Sequence, residues 1–233
     1  VSKRKNQNEL IVKSRFIVAS ILLLSFTTSQ TTMAQIRYLP FGDSYTICEG
    51  AKESERWPNI LTLHLQEKGI DIELIGNPSV TGWTTQDLID KELPLYRKEK
   101  PNFSTLLIGV NDWVQGVSKK DFRKNLSFIM DEMLEPLTSA ERLIVITIPD
   151  FSVMPEGPKY SKGRDISAGL QEFNKIIKEE AAKRNLKVVD IFDLSQKAKD
   201  NPKLVGPDGL HPSAAEYANW EEVIFPVVYG VLK

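Results

Sequence analysis

Ser44 stands in Phe41-Gly42-Asp43-Ser44-Tyr45-Thr46, directly after the apolar run Ile36–Phe41, and Asp208-Gly209-Leu210-His211-Pro212 lies near the end of the 233-residue chain. Together the two segments supply a hydroxyl, a carboxylate and an imidazole. Those are the groups that act as nucleophile, orienter and base in serine-based acyl transfer. The chain has only two histidines, and one of them falls three residues after an aspartate. An Asp–His pair at that spacing on a tight loop can hold the carboxylate against Nδ1 and leave Nε2 for a serine hydroxyl.

Five short apolar runs, rich in β-branched and aromatic residues and followed by turn residues, read as strands: Ile36–Phe41, Ile72–Ile75, Phe103–Ile108, Leu143–Ile148 and Val188–Phe192. Helical periodicity fills the gaps. Trp57, Ile60, Leu61, His64 and Leu65 share one face; so do Phe122, Leu126, Ile129, Met130 and Met133, then Ile166, Leu170, Phe173, Ile177 and Ala181, then Tyr217, Trp220, Ile224 and Val227. Ser118 with Asp121 and Ser213 with Glu216 have the spacing of capping boxes, and Thr84 with Asp87 opens a shorter helix. Alternating strands and helices predict an α/β fold in which a five-stranded parallel sheet lies between two helical layers, since each parallel crossover needs a helix. In such a sheet, ligands bind beyond the carboxyl ends of the strands. Ser44, Gly82, Asn111, the long Pro149–Gly163 loop, and Asp208 with His211 each follow a successive predicted strand. The candidate polar groups are therefore expected along one edge, and a loop as long as Pro149–Gly163 is expected to serve function.

These residues resemble the SGNH, or GDSL-type, hydrolases. Gly42-Asp43-Ser44-Tyr45 is similar to the family's nucleophile block, with Tyr where Leu is frequent. Gly82 in Asn77-Pro78-Ser79-Val80-Thr81-Gly82 is similar to the glycine block, Gly109-Val110-Asn111-Asp112 to the asparagine block, and Asp208-Gly209-Leu210-His211 to the acid–base block. Each block alone also reads as an ordinary turn; four in order over residues 36–230 carry the resemblance. It implies a flavodoxin-like three-layer sheet, a catalytic set of Ser44, Asp208 and His211, and an oxyanion hole from Ser44 and Gly82 backbone N–H groups and the Asn111 amide. Gly82 is expected where a missing Cβ lets backbone approach the substrate. Asp43 and Asp112 are expected to bond loop N–H groups near the nucleophile. Trp83 and Trp113 each follow an expected oxyanion donor and either line a substrate pocket or pack in the core. His64 and Cys48 are expected to be packing residues.

The implied activity is hydrolysis of carboxylic esters, of deacetylase or acylesterase type, on a small-molecule or carbohydrate ester and without a cofactor. Alternatives are a lysophospholipase or thioesterase, and a carbohydrate-binding module on the same fold. A metal phosphatase would have to use Asp43, Asp112, Asp208 and His211, which lack recognisable metal-ligand spacing. Residues 1–34 hold five bases and one acid, which leaves 25 Lys and Arg against 30 Asp and Glu in the remainder. An acidic remainder gives no footprint for nucleic acid or an anionic membrane. The N-terminal bases precede Phe16–Phe26, an apolar stretch short of the ~20 residues that span a bilayer, and then Thr32-Met33-Ala34. Residues 1–34 therefore read as a cleaved signal peptide, 35–233 as a single domain, and the mature chain as an exported, periplasmic or extracellular protein with no membrane span. An amphipathic N-terminal helix fits less well, because Lys13 and Arg15 interrupt its face.

Overall fold

A computed structural model describes residues 34–233, which form one compact unit. Residues 1–34, expected to be a signal peptide, lie outside the described residues apart from Ala34. Five strands, β1 (Ile36–Gly42), β2 (Ile72–Leu74), β3 (Phe103–Leu107), β4 (Leu143–Ile146) and β5 (Lys187–Val189), form a sheet of order β2-β1-β3-β4-β5. Every pairing is parallel, as the alternation of strands and helices predicts. The order reverses direction between β1 and β3, the flavodoxin-like arrangement. β3 and β4 are buried along their whole length and β1 along nearly all of its own. That is why their sequences read as continuous apolar runs rather than alternating ones.

The helices follow the predicted periodicity. Helix α2 (Trp57–Glu67) packs against α9 (Ala214–Leu232). Helix α6 (Lys119–Leu134) packs against α7 (Ile166–Lys183), and α4 (Leu93–Glu99) also rests on α6. Right-handed crossovers place these two groups on opposite faces of the sheet. Short helices α1 (Ser44–Ile47), α3 (Thr85–Asp87), α5 (Val110–Gln115) and α8 (Phe192–Ser195) complete the set. Ser118 and Ser213 do cap α6 and α9 by accepting the third N–H, but of the three expected boxes it is the one at Thr84 and Asp87 that forms the reciprocal arm. No helix among the described residues is long and apolar enough to cross a membrane. Cys48 is buried, as expected of a packing residue. His64 departs from its expected place on the apolar stripe: its ring is part-exposed, with Nδ1 3.1 Å from the buried Glu221 carboxylate of α9.

The α6–α7 seam is fastened by Glu180, 2% exposed, which receives Arg123 at 2.7 Å, Lys183 at 2.7 Å and Arg184 at 3.0 Å. Burial alone would raise its carboxyl. The three cationic hydrogen bonds outweigh that and bring it down from 4.5 to about 2. A carboxyl depressed in the folded state stabilises above its unfolded pKa, and that contribution is lost as pH falls through the folded value. Glu180→Gln is expected to cost about 1–3 kcal/mol near neutral pH, read by urea unfolding. The difference from wild type should shrink between pH 4.5 and about 2; a difference that stays constant would place its origin elsewhere.

Candidate active site

The site begins where β1 leaves the sheet. Gly42 pairs with Leu107 at the end of β3, and a Cβ at Gly42 would lie 2.1 Å from the Leu107 carbonyl oxygen and 2.2 Å from Thr46 Oγ1. Only glycine fits there. The chain then turns sharply into α1, with Asp43 at its N-cap accepting the Tyr45 N–H at 3.0 Å. Ser44, the next residue, is therefore the first of a helix whose free N–H groups point toward the strand edge. Burial, only partly offset by the Tyr45 N–H, pushes the Asp43 carboxyl up to about 8.

Asn111 and Asp112 sit in α5, directly after β3, across the point where the strand order reverses. Asn111 Nδ2 donates to the Trp83 carbonyl at 2.9 Å. The Asp112 carboxylate accepts the Thr85 N–H at 2.8 Å and the Thr85 hydroxyl at 2.5 Å. Burial raises Asp112 to about 6 against those two bonds. Two adjacent residues of α5 thus stitch it to the segment that carries Gly82. That segment is tied to the nucleophile turn as well, by Asn77 Nδ2 donating to the Thr46 carbonyl at 2.8 Å and by the Thr81 hydroxyl donating to Glu49. Asp43 and Asp112 do hold loop N–H groups as their positions suggested. Thr85, the partner of Asp112, carried no sequence signal beyond its neighbour's cap.

The last loop brings in the imidazole. Asp208 Oδ1 accepts the backbone N–H groups of Leu210 and His211, each at 2.9 Å, and Oδ2 meets His211 Nδ1 at 2.6 Å. Burial would raise the Asp208 carboxyl; the His211 ring and the two N–H groups outweigh it and hold the group below the ordinary range. An ionised carboxylate only accepts, so Nδ1 carries a proton, and in the neutral ring Nε2 is then the nitrogen with the free lone pair. Gly206 N–H donates to the His211 carbonyl at 2.7 Å, and Glu156 N–H to the Gly209 carbonyl at 2.9 Å, which binds this loop to the Pro149–Gly163 segment. The Tyr45 ring meets the His211 ring edge-on at 6.1 Å.

Ser44, Asn111 and His211 line one cavity of about 70 Å³ with Tyr45, Val110, Val114, Phe151, Tyr160 and Leu210. Phe151 and Tyr160 come from the Pro149–Gly163 loop, whose length had marked it. Larger grooves exist, including one of about 770 Å³ between α6 and α7, but that one shares no residue with the cavity at Ser44. Two expectations are narrowed. Trp83 and Trp113 do not line the cavity. Trp113 is buried against Phe151 with the Arg164 guanidinium 4.0 Å from its ring centre, and Trp83 lies half-buried under Lys91. Trp113 follows Asn111 by two in α5, and the helical turn carries its side chain to another face. At Gly82, a Cβ would meet no protein atom within 4 Å. What calls for glycine there is φ of +88°, which other residues rarely adopt, rather than close packing against protein. Gly82 is exposed and outside the cavity's lining.

A family model of GDSL-like lipases and acylhydrolases matches residues 41–218, from the strand that delivers Ser44 to the helix that follows His211. The chain belongs to the GDSL-like lipase/acylhydrolase family. Among solved structures it is similar to a lipase/acylhydrolase from Enterococcus faecalis, at 25% identity over 85% of this chain and 98% of that one, with a TM-score of 0.69. TesA matches at 22% identity over 84% and 99%, TM-score 0.68. A variant of an acetyl xylan esterase from Geobacillus stearothermophilus matches at 18% over 83% and 94%, TM-score 0.65. No curated protein matches significantly. As a member of this GDSL-like family, the chain is a carboxylic ester hydrolase with the SGNH hydrolase fold.

The Asp208 geometry generates a prediction. In Asp208→Asn the amide oxygen can still accept the two backbone N–H groups, while the amide nitrogen presents a donor to His211 and favours the wrong ring tautomer. The variant is expected to keep its melting temperature within a few degrees and to lose kcat by about 10²–10⁴. Equal activity in variant and wild type would show that the short Asp208–His211 bond has no part in turnover.

Proposed function

We propose that this hydrolase acts through an acyl-enzyme on Ser44, on esters whose acyl group is short, of acetyl size, and that it is exported. His211 Nε2 takes the Ser44 proton as Oγ attacks the ester carbonyl, and the imidazolium returns it to the departing alcohol. Asp208 holds the ring and stabilises the imidazolium. The carbonyl oxygen, negative in the tetrahedral intermediate, is received by the N–H groups of Ser44 and Gly82 and by the Asn111 amide. One Asn111 N–H is already bound to the Trp83 carbonyl, which fixes the plane of the amide so that its other N–H is aimed in advance. Water then repeats the sequence on the acyl-enzyme. No cofactor enters this scheme.

The observation that carries the substrate reading is the cavity volume of about 70 Å³. It equals only a few water molecules at roughly 30 Å³ each. Tyr45, Phe151, Tyr160 and Leu210 wall it, and a long acyl chain would have to displace buried side chains. Tyr160, 40% exposed at the rim, offers a face on which the alcohol part of the substrate, a sugar ring for instance, can rest. The acetyl xylan esterase from Geobacillus stearothermophilus is named for such a substrate.

With p-nitrophenyl esters, kcat/KM is expected to be highest for acetate and to fall at least about tenfold by octanoate, since each extra methylene must find room beyond a cavity of about 70 Å³. A rise with chain length would favour a lipase or thioesterase reading instead. Asn111→Ala should lower kcat by about 10²–10³ with KM nearly unchanged, the signature of a donor used in the transition state. Export is checked separately: the mature N-terminus recovered from culture fluid or periplasm is expected at Gln35, and a cytosolic, unprocessed chain would contradict it.

A further inference from the structure

Residues 85–99 are helical throughout, but the turn Leu88–Glu92 is a π-helix, closed by Leu93 N–H donating to the Leu88 carbonyl. Pro94 follows at once. In a regular α-helix its ring would press on the carbonyl of Asp90, and its nitrogen would have no hydrogen to offer. The wider turn accommodates it, and Glu92, one turn after the buried Leu88, stays on the buried face. Asp90 and Lys91 remain at the surface, while Glu92 is 0% exposed. A fully buried glutamate with no cation beside it is unusual. Here Oε2 accepts the Gly42 N–H at 3.2 Å and Oε1 has no partner.

Gly42 is the residue that cannot carry a Cβ, two positions before Ser44. The charged group that acts on the Glu92 carboxyl is another acid, Asp43, on the turn itself and with one buried oxygen also unpartnered. Nothing here compensates a charge. Burial pushes Glu92 well above the carboxylate range, and the neighbouring Asp43 adds to that. Its remaining use is as an acceptor for one backbone N–H at the root of the nucleophile turn.

We propose that Glu92 is a positioning residue for the nucleophile: its buried carboxyl clamps the Gly42 N–H and so fixes the turn that presents Ser44. The proposal rests on Ser44 being the nucleophile. A neutral amide of the same shape can take over the clamp, and an aliphatic side chain of similar volume cannot.

The experiment compares Glu92→Gln and Glu92→Leu with wild type on p-nitrophenyl acetate, below the melting temperature of each, together with the rate at which monoethylphosphonate-type reagents modify Ser44. E92Q is expected to keep kcat within about threefold. E92L should lose kcat by about 10–100-fold, as a nucleophile displaced by a fraction of an ångström does, with KM within about threefold and phosphonylation slowed in parallel. Where E92L does not fold, Glu92→Asp, one methylene too short to reach Gly42, must show the same loss. Wild-type kcat in E92L or E92D, an equal loss in E92Q, or a loss confined to KM would overturn the proposal. Failure of the underlying reading shows differently, as absence of modification at Ser44 in the wild type.

Discussion

The close passage of Gly42 over the Leu107 carbonyl is the constraint on which the rest of the site depends. With 2.1 Å between that oxygen and the place where a Cβ would sit, the ends of β1 and β3 can approach only through a glycine. These are the two strands between which the sheet order reverses. Helices leaving them diverge to opposite faces, and the crevice between them receives ligand. Ser44 and Asn111 occupy the first turns of those two helices, so their shared cavity follows from strand order. Asp208 and His211 come from far along the chain and depend on loop bonds instead: two N–H groups to one carboxylate oxygen, the ring nitrogen to the other, and Glu156 holding the loop from outside.

Four carboxyls surround the site and their environments divide them. Asp208, half-exposed and bonded to the imidazole, is held below the ordinary range and stays ionised. Asp43, Glu92 and Asp112 lie buried around the turn that carries Ser44 and the start of α5, and desolvation lifts all three. The first suits a partner for a developing imidazolium. The other three are bonded to backbone N–H groups of Tyr45, Gly42 and Thr85, so their work is to hold three turns in place. A set of ionised carboxylates there would oppose the negative charge that forms on the substrate. Burial disfavours their charged forms, most for Glu92 and Asp43 and least for Asp112 at about 6, so the hydrogen bonds come with less of that field.

Much of this was legible in the chain itself. β1, β3 and β4 are continuous apolar runs because both faces are covered, and α6 and α7 show their buried faces at helical spacing. The chemistry-bearing residues fall at strand ends, which brings Ser44, Asn111 and His211 to one edge before any coordinate is known. What escaped was rotation within short helices. Trp113 looked placed for substrate because it follows Asn111 by two, but α5 turns it toward Phe151 and Arg164. The π-helical turn left no mark on the pattern either, because Thr85, Leu88, Glu92 and Tyr96 keep ordinary helical spacing on one buried face, and a charged residue type at Glu92 does not signal burial. Residues 1–33 carry the clearest targeting pattern in the chain and lie outside the described structure.

The central claim is that Ser44, His211 and Asp208 work as one unit against an oxyanion site shared by Ser44, Gly82 and Asn111. Its most direct test is a crystal structure of the enzyme after reaction with a monoethylphosphonate reagent, whose tetrahedral phosphorus mimics the intermediate. The account predicts phosphorus bonded to Ser44 Oγ, with one phosphoryl oxygen within about 2.7–3.1 Å of the Ser44 N–H, the Gly82 N–H and Asn111 Nδ2. The small ethyl group would lie against Tyr160 and Phe151. An adduct on any other residue, or one at Ser44 whose oxygens face away from Asn111 and Gly82, would contradict it.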